Sequence, residues 1–137
     1  MRKKKILILS GGISKEREIS LETAKQVNNT LKKKYLTLLS EPNDSLNKNI
    51  KKFKPDIIFN ALHGRFGEDG YIQSLLEDQK IKYTHSGVLS SSIAMDKIIS
   101  KEIFIKNKIL TPKYLKFNFD SNILQKNKIT KKNKIKV

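Results

Sequence analysis

Four consecutive apolar residues, Ile6-Leu7-Ile8-Leu9, stand between the charged run Arg2 to Lys5 and Ser10-Gly11-Gly12. A run this short has no polar face to turn toward water, so it reads as a strand covered on both sides. Strands of that kind belong to parallel sheets, whose connections cross back as helices. The following residues keep to that plan. Leu21, Ala24, Val27 and Leu31 recur at spacings of three, three and four, which predicts one apolar stripe on a helix from about Ile19 to Lys34. Tyr35 to Leu39 reads as a second strand ending at Pro42, and Leu46, Ile50 and Phe53 mark a short helix that stops before Pro55. Ile57-Ile58-Phe59 is a third strand, Ile72, Leu75 and Leu76 form another helical face, and Ile81 to Thr84 reads as a fourth strand. This order predicts an α/β fold, a Rossmann-like parallel sheet with helices on both faces. Such folds take their ligands at the carboxyl ends of the strands.

Beyond Ser86-Gly87 the pattern is helical, with Val88 to Ala94 followed by Met95, Ile98, Ile99 and Ile103 on a second stripe. Thr111-Pro112 interrupts it, and Leu115, Phe117 and Phe119 then alternate with Lys116 and Asn118 as in a strand. From Lys126 onward Lys, Asn, Ile and Thr dominate, and a disordered end or an unfinished strand is expected there.

The 137 residues carry 29 Lys and Arg against 13 Asp and Glu, a formal net charge of +16. Such an excess would suit a polyanion if it were clustered on one face. It lies instead at the ends: Arg2 to Lys5 contribute +4, and the stretch from Lys113 onward contributes +7. Only Arg2, Arg17 and Arg65 can make the bidentate contacts that read bases and phosphates. Nucleic acid is therefore not an expected partner, and a basic nucleic-acid-binding module is the weakest functional alternative. Cysteine is absent, which excludes a thiolate nucleophile and a Cys-based zinc site. No apolar run approaches the length of a signal peptide core or a membrane span, so a cytoplasmic protein with no membrane partner is expected.

Three polar loops each follow a predicted strand. S-G-G-I-S-K-E-R-E-I-S, residues 10–20, has two glycines that permit a tight turn, and Ser14 is placed to cap a helix whose first turn carries Glu16 and Glu18. On physical grounds alone a capped helix start is the favoured reading over a ligand site. A-L-H-G-R-F-G-E-D-G, residues 61–70, packs His63, Arg65, Glu68 and Asp69 among three glycines, and a structural loop and a ligand loop are equally open there. T-H-S-G-V-L-S-S-S-I-A-M-D-K, residues 84–97, suits a helix N-terminus that could hold an anion, with Lys97 as a point charge for phosphate. By spacing alone, Lys97 is an ordinary surface lysine.

In order, these loops together with N-A-L-H-G-R-F-G-E-D-G-Y-I-Q-S-L-L-E and a following T-P-K-Y closely resemble the N-terminal region of D-alanine–D-alanine ligases, over about Ile6 to Tyr114. The resemblance implies a cytoplasmic ATP-grasp ligase of peptidoglycan synthesis. In such enzymes the carboxylate of one D-alanine takes the ATP γ-phosphate, and the amine of a second D-alanine attacks the acyl phosphate. Residue by residue, Glu16 matches the catalytic glutamate that fixes the ammonium of the first D-alanine, and His63 the histidine beside that substrate. Ile19 matches a backbone and apolar contact at the same end, Glu68 a supporting loop position, and Lys97 a lysine near the nucleotide phosphates. Holding these groups at strand ends serves near-attack geometry.

His85 departs from the family, many of whose members have Gly in a Y-T-G-S-G form; it reads as a tolerated variant. Length is the larger departure, because the resemblance reaches only about the first third of the enzyme. It implies a pre-ATP-grasp substrate-binding domain over residues 1–94, a linker helix and first strand of a truncated ATP-grasp domain over 95–119, and a Lys- and Asn-rich tail over 120–137. ATP and Mg2+ or Mn2+ would serve the full enzyme, with the metal ligands absent from this chain. The chain alone is then expected to be inactive, and a homodimer or a complementing C-terminal fragment is the implied partner. A non-catalytic remnant or a subunit of a split ligase is the alternative.

Overall fold

The computed structural model describes residues 2–115. The elements run β1 (Lys5–Leu9), α1 (Arg17–Leu31), β2 (Leu36–Ser40), α2 (Leu46–Phe53), β3 (Ile57–Asn60), α3 (Tyr71–Asp78), α4 (Val88–Met95) and α5 (Lys97–Lys106). The three strands form a parallel sheet in the order β2-β1-β3. β1 is central, and Leu7, Ile8 and Leu9 have no exposed surface at all.

Side chains alternate across a strand, so β1 feeds two separate apolar layers. Ile6 and Ile8 pack with Ala24 of α1 and with Ala61, backed by Val27, Leu31 and Tyr35. Leu7 and Leu9 pack on the other face with Leu46 and Ile50 of α2, Ile58 of β3, and Ile72 and Leu76 of α3. Helices therefore cover both faces, as the alternation of patterns predicts. The burial of α1 falls on Ser20 and Ala24, with Leu21 only half-buried, so its inward stripe begins one position earlier than the apolar pattern shows. α1 also ends at Leu31, short of the predicted Lys34, with Lys32 as its C-cap.

β2 is an edge strand, and Leu36 and Leu39 stay 46% and 45% exposed. α2 stops where Pro55 requires: Lys54 is left-handed at φ 50°, and its N–H closes the last turn on the Ile50 carbonyl. Asp56 ties β3 to the start of β1, accepting from the Lys5 N–H at 2.7 Å and pairing with Arg2 at 2.7 Å. The Lys5 backbone bond, partly opposed by burial and reinforced by the Arg2 charge, holds its carboxyl below the usual value.

The expected fourth strand at Ile81 to Thr84 does not form. A single parallel bridge joins Tyr83 to Ile58, with the Ile58 N–H donating to the Lys82 carbonyl at 2.8 Å. At the next step of the ladder the Asn60 N–H donates to the Thr84 hydroxyl, not to a backbone carbonyl, and pairing stops. Tyr83 instead donates its phenol to Glu77 at 2.5 Å, and burial together with that carboxylate pushes the phenol up to about 12. The helical stretch after Gly87 forms two helices, as its two stripes predict. Asp96 breaks it at φ −88°, ψ 107° and caps α5 by accepting from the Ile98 and Ile99 N–H groups. Thr111 to Leu115 has no regular structure, and the predicted strand through Phe117 and Phe119 and the tail over 120–137 lie outside the described residues.

Leu76 is fully buried between α3 and the sheet, whereas Leu110 is 99% exposed. Leu76→Ala is expected to lower the unfolding free energy by about 2–5 kcal/mol, and Leu110→Ala to stay within about 0.5 kcal/mol of the parent. Urea denaturation measures both; equal effects would contradict the two-layer core.

Candidate functional site

The loop after β1 and the loop after β3 leave the carboxyl ends of neighbouring strands and meet above the sheet. The first is anchored by Ser20, whose fully buried hydroxyl accepts from the Gly11 N–H at 2.9 Å. Arg17 and Glu41 pair at 2.6 Å and hold the start of α1 to the end of β2. Ser14 does not cap α1 as expected. Its hydroxyl accepts from the Glu16 N–H at 3.0 Å, Glu16 itself occupies the N-cap position without a side-chain cap bond, and only Glu18 lies in the first turn. Glu16 is thereby left exposed, and among the described residues no donor is bonded to its carboxylate.

Gly64 is where the two loops touch. It is buried at φ +68°, and a Cβ there would stand 2.5 Å from Glu16 Oε2 and 3.3 Å from the Ser14 hydroxyl. The Gly64 N–H donates to Glu68 Oε2 at 2.8 Å. One glycine thus separates two carboxylates, one bonded to the loop backbone and one free.

His63 stands beside them. Its Nε2 lies 3.3 Å from the Thr23 hydroxyl, and its Nδ1 lies 3.8 Å from Glu68 Oε1. Thr23 spends its only proton on the Ile19 carbonyl at 2.8 Å, so its oxygen is an acceptor toward His63. The Nε2 edge of His63 therefore faces the Thr23 oxygen, and its Nδ1 edge faces the Glu68 carboxylate. Ile19 is joined to the group only through Thr23; its side chain is 56% exposed along α1.

Two cavities flank the loops. The larger, about 560 Å³, lies between Gly11 to Ser14, Pro42 to Asn47 and the loop from Leu62 to Gly67, with His63 and Arg65 in its wall. The other, about 440 Å³, is lined by Glu68, His85, Ser86, Ser90 and Lys97 among others. Lys97 and Glu68 thus line a different cavity from His63, and Glu16 lines neither. Among the described residues no group of three or more His, Asp or Glu side chains could hold a metal ion, and no helix is long and apolar enough to cross a membrane.

Sequence reading missed three residues. Thr23 and Asn60 act through partners 40 and 25 positions away, which no local pattern shows. Ser20 did leave a signal: it interrupts the inward stripe one turn before Ala24, where an apolar residue would otherwise stand.

A three-stranded parallel sheet covered on both faces, with its polar loops at the strand ends, is a Rossmann-like α/β domain. A family model described as D-ala D-ala ligase N-terminus matches residues 37–86. The D-alanine–D-alanine ligase of Pelagibacter ubique (strain HTCC1062) is 70% identical over 131 residues, covering 95% of this chain and 43% of that protein. The ligase of the Wolbachia of Brugia malayi is 51% identical over 109 residues, covering 79% of this chain and 32% of that protein. Among solved structures, the Bacillus anthracis D-alanine–D-alanine ligase complexed with ATP superposes with a TM-score of 0.72 at 33% identity, covering 92% of this chain and 43% of that one. This chain matches the N-terminal region of D-alanine–D-alanine ligases, and it spans less than half the length of these relatives.

A side chain at position 64 must adopt a left-handed backbone, which costs roughly 1–2 kcal/mol, and must also displace Glu16. Gly64→Ala is expected to destabilise by at least that amount and to shift the amide resonances of Ser14, Glu16 and Glu68. Gly87→Ala, at φ −66° with its nearest neighbour 3.6 Å away, is the control and should do neither. Equal behaviour of the two variants would contradict the contact between the loops.

Proposed function

We propose that this chain supplies the first-substrate end of an ATP-dependent ligase that joins two D-alanines. The observation that carries this reading is the free Glu16 carboxylate held against Gly64, beside His63 and Glu68. An amino acid brings an ammonium and a carboxylate a few ångströms apart. Glu16 holds the ammonium, while His63 offers a polar ring next to the same substrate and Glu68 keeps the loop closed through Gly64. Ile19 contributes backbone and apolar surface at the start of α1. Lys97, in the neighbouring cavity, faces the phosphates of ATP. In the reaction the D-alanine carboxylate oxygen takes the γ-phosphoryl group and ADP leaves. The amine of the second D-alanine then attacks the acyl carbon, a proton is lost, and phosphate leaves.

The residues of this chain bind and orient the first reactant, and they do not complete that chemistry. Phosphoryl transfer requires charge-stabilising groups aimed at the transferring oxygens, and the described residues lack a donor set for Mg2+ or Mn2+. The resemblance implies that those groups belong to the part of the relatives that this chain does not match. The break at Asp96 supports a boundary near residue 94 between a substrate-binding domain and a linker helix, α5, that leads toward the next domain. Ile99, Phe104, Ile105 and Leu110 remain 44%, 39%, 57% and 99% exposed on and after α5, which supports a partner: a complementing C-terminal fragment, or a second copy in a homodimer. The chain acts in the cytoplasm, where ATP is available.

ATP- and D-alanine-dependent phosphate release tests this reading. The chain alone is expected to give no more turnover than Glu16→Gln. Mixed with the C-terminal remainder of the Pelagibacter ubique relative, it is expected to gain activity that Glu16→Gln lowers by about tenfold or more, the worth of one charged hydrogen bond. Turnover by the chain alone above the Glu16→Gln control, or a complemented activity indifferent to that substitution, would overturn it.

A further inference from the structure

Asn60, the last residue of β3, is 3% exposed, and its side-chain amide is bonded on every side. Its Oδ1 accepts from the Leu62 N–H at 3.0 Å. Its Nδ2 donates to the Gly67 carbonyl at 2.9 Å and lies 3.1 Å from Nδ1 of His85. The Gly67 carbonyl is shared with Gln73, which is also fully buried and donates through Nε2 at 2.9 Å.

Two of these partners fix the orientation of the Asn60 amide. A backbone N–H only donates, so the atom facing Leu62 is the oxygen. A carbonyl only accepts, so the atom facing Gly67 is the nitrogen. The NH2 group spends one hydrogen on Gly67 and turns the other toward His85. Nδ1 of His85 must then present a lone pair, because a hydrogen there would meet a second hydrogen. In the neutral imidazole the hydrogen is then on Nε2.

His85 lines the same cavity as Lys97, Glu68, Ser86 and Ser90. We infer that Asn60 is a positioning residue of this site: it locks His85 as the Nε2–H tautomer, and His85 becomes a hydrogen-bond donor to an oxygen of the phosphate group that Lys97 faces. The inference rests on the proposed role of Lys97, and it gives a function to a position where the sequence departs from much of the family. Asn60 also joins the two ligand loops, because the carbonyl it holds at Gly67 lies next to Glu68 while its N–H is bonded to Thr84.

The chain has only two histidines, so nitrogen-15 NMR of the labelled imidazoles at neutral pH reads the tautomer directly. His85 is expected to show a pyridine-type Nδ1 and a pyrrole-type Nε2, with one dominant tautomer. A pyrrole-type Nδ1, or an averaged pair of signals, would overturn the inference without any variant being made. In Asn60→Ser the lock is absent, and the His85 nitrogens are expected to move toward averaged values while those of His63 stay in place. If that variant keeps its fold and His85 is unchanged, the inference fails.

Titration with ATP supplies the second arm. The His85 Nε2 signal is expected to shift together with the Lys97 side chain, and the shift at His85 to be lost in Asn60→Ser. Movement of Lys97 without His85 overturns the inference and leaves the reading of Lys97 intact. Movement of neither, with the locked tautomer present, overturns the role given to Lys97 and with it the donor role of His85.

Discussion

The burial of β1 on both faces is the constraint from which the rest of the structure follows. Leu7, Ile8 and Leu9 have no contact with solvent, and a strand in that position needs a helix layer on each side and a strand on each edge. α1 supplies one layer through Ala24, and α2 and α3 supply the other through Leu46, Ile50, Ile72 and Leu76. Parallel strands in such a sandwich send their connecting loops to the same end. The loops after β1 and β3 leave neighbouring strand ends, and this brings Ser14, Glu16, His63, Gly64 and Glu68 together from positions some fifty residues apart.

Local chemistry then tightens what the sheet brings close. Gly64 admits the Glu16 carboxylate because it has no Cβ and sits at φ +68°, and its own N–H holds Glu68. Thr23 links α1 to His63, and Asn60 links the loop after β3 to His85. None of these bonds is large, since each replaces a bond the same groups would make to water. Their importance is directional. They set which atom of each ring or carboxylate faces the space between the loops.

Much of this fold was legible because its signals are local. The runs at Ile6 to Leu9 and Ile57 to Phe59 and the spacing of Leu46, Ile50 and Phe53 each report burial of their own segment. The fourth strand was misread because Ile81 to Thr84 alternates correctly, yet the Thr84 hydroxyl takes the bond that a continuing ladder would give to a backbone carbonyl. Ser14 has the chemistry of a cap but stands two residues too early, so it bonds the Glu16 N–H instead. The candidate site divides in the same way. The residue types in the 61–70 loop were visible as a dense polar cluster, whereas the pairing of Asn60 with His85 exists only once the strand ends are side by side. The net charge of +16, by contrast, says little about the site, because most of it lies at the two ends of the sequence.

The central claim is that the loops after β1 and β3 form one amino-acid site around Glu16. Amide chemical-shift mapping of the chain during titration with D-alanine tests it most directly. The account predicts shifts concentrated at Ser14 to Thr23 and His63 to Glu68, abolished by Glu16→Gln and weaker with L-alanine. Shifts scattered over the surface, or a response that survives Glu16→Gln unchanged, would contradict it.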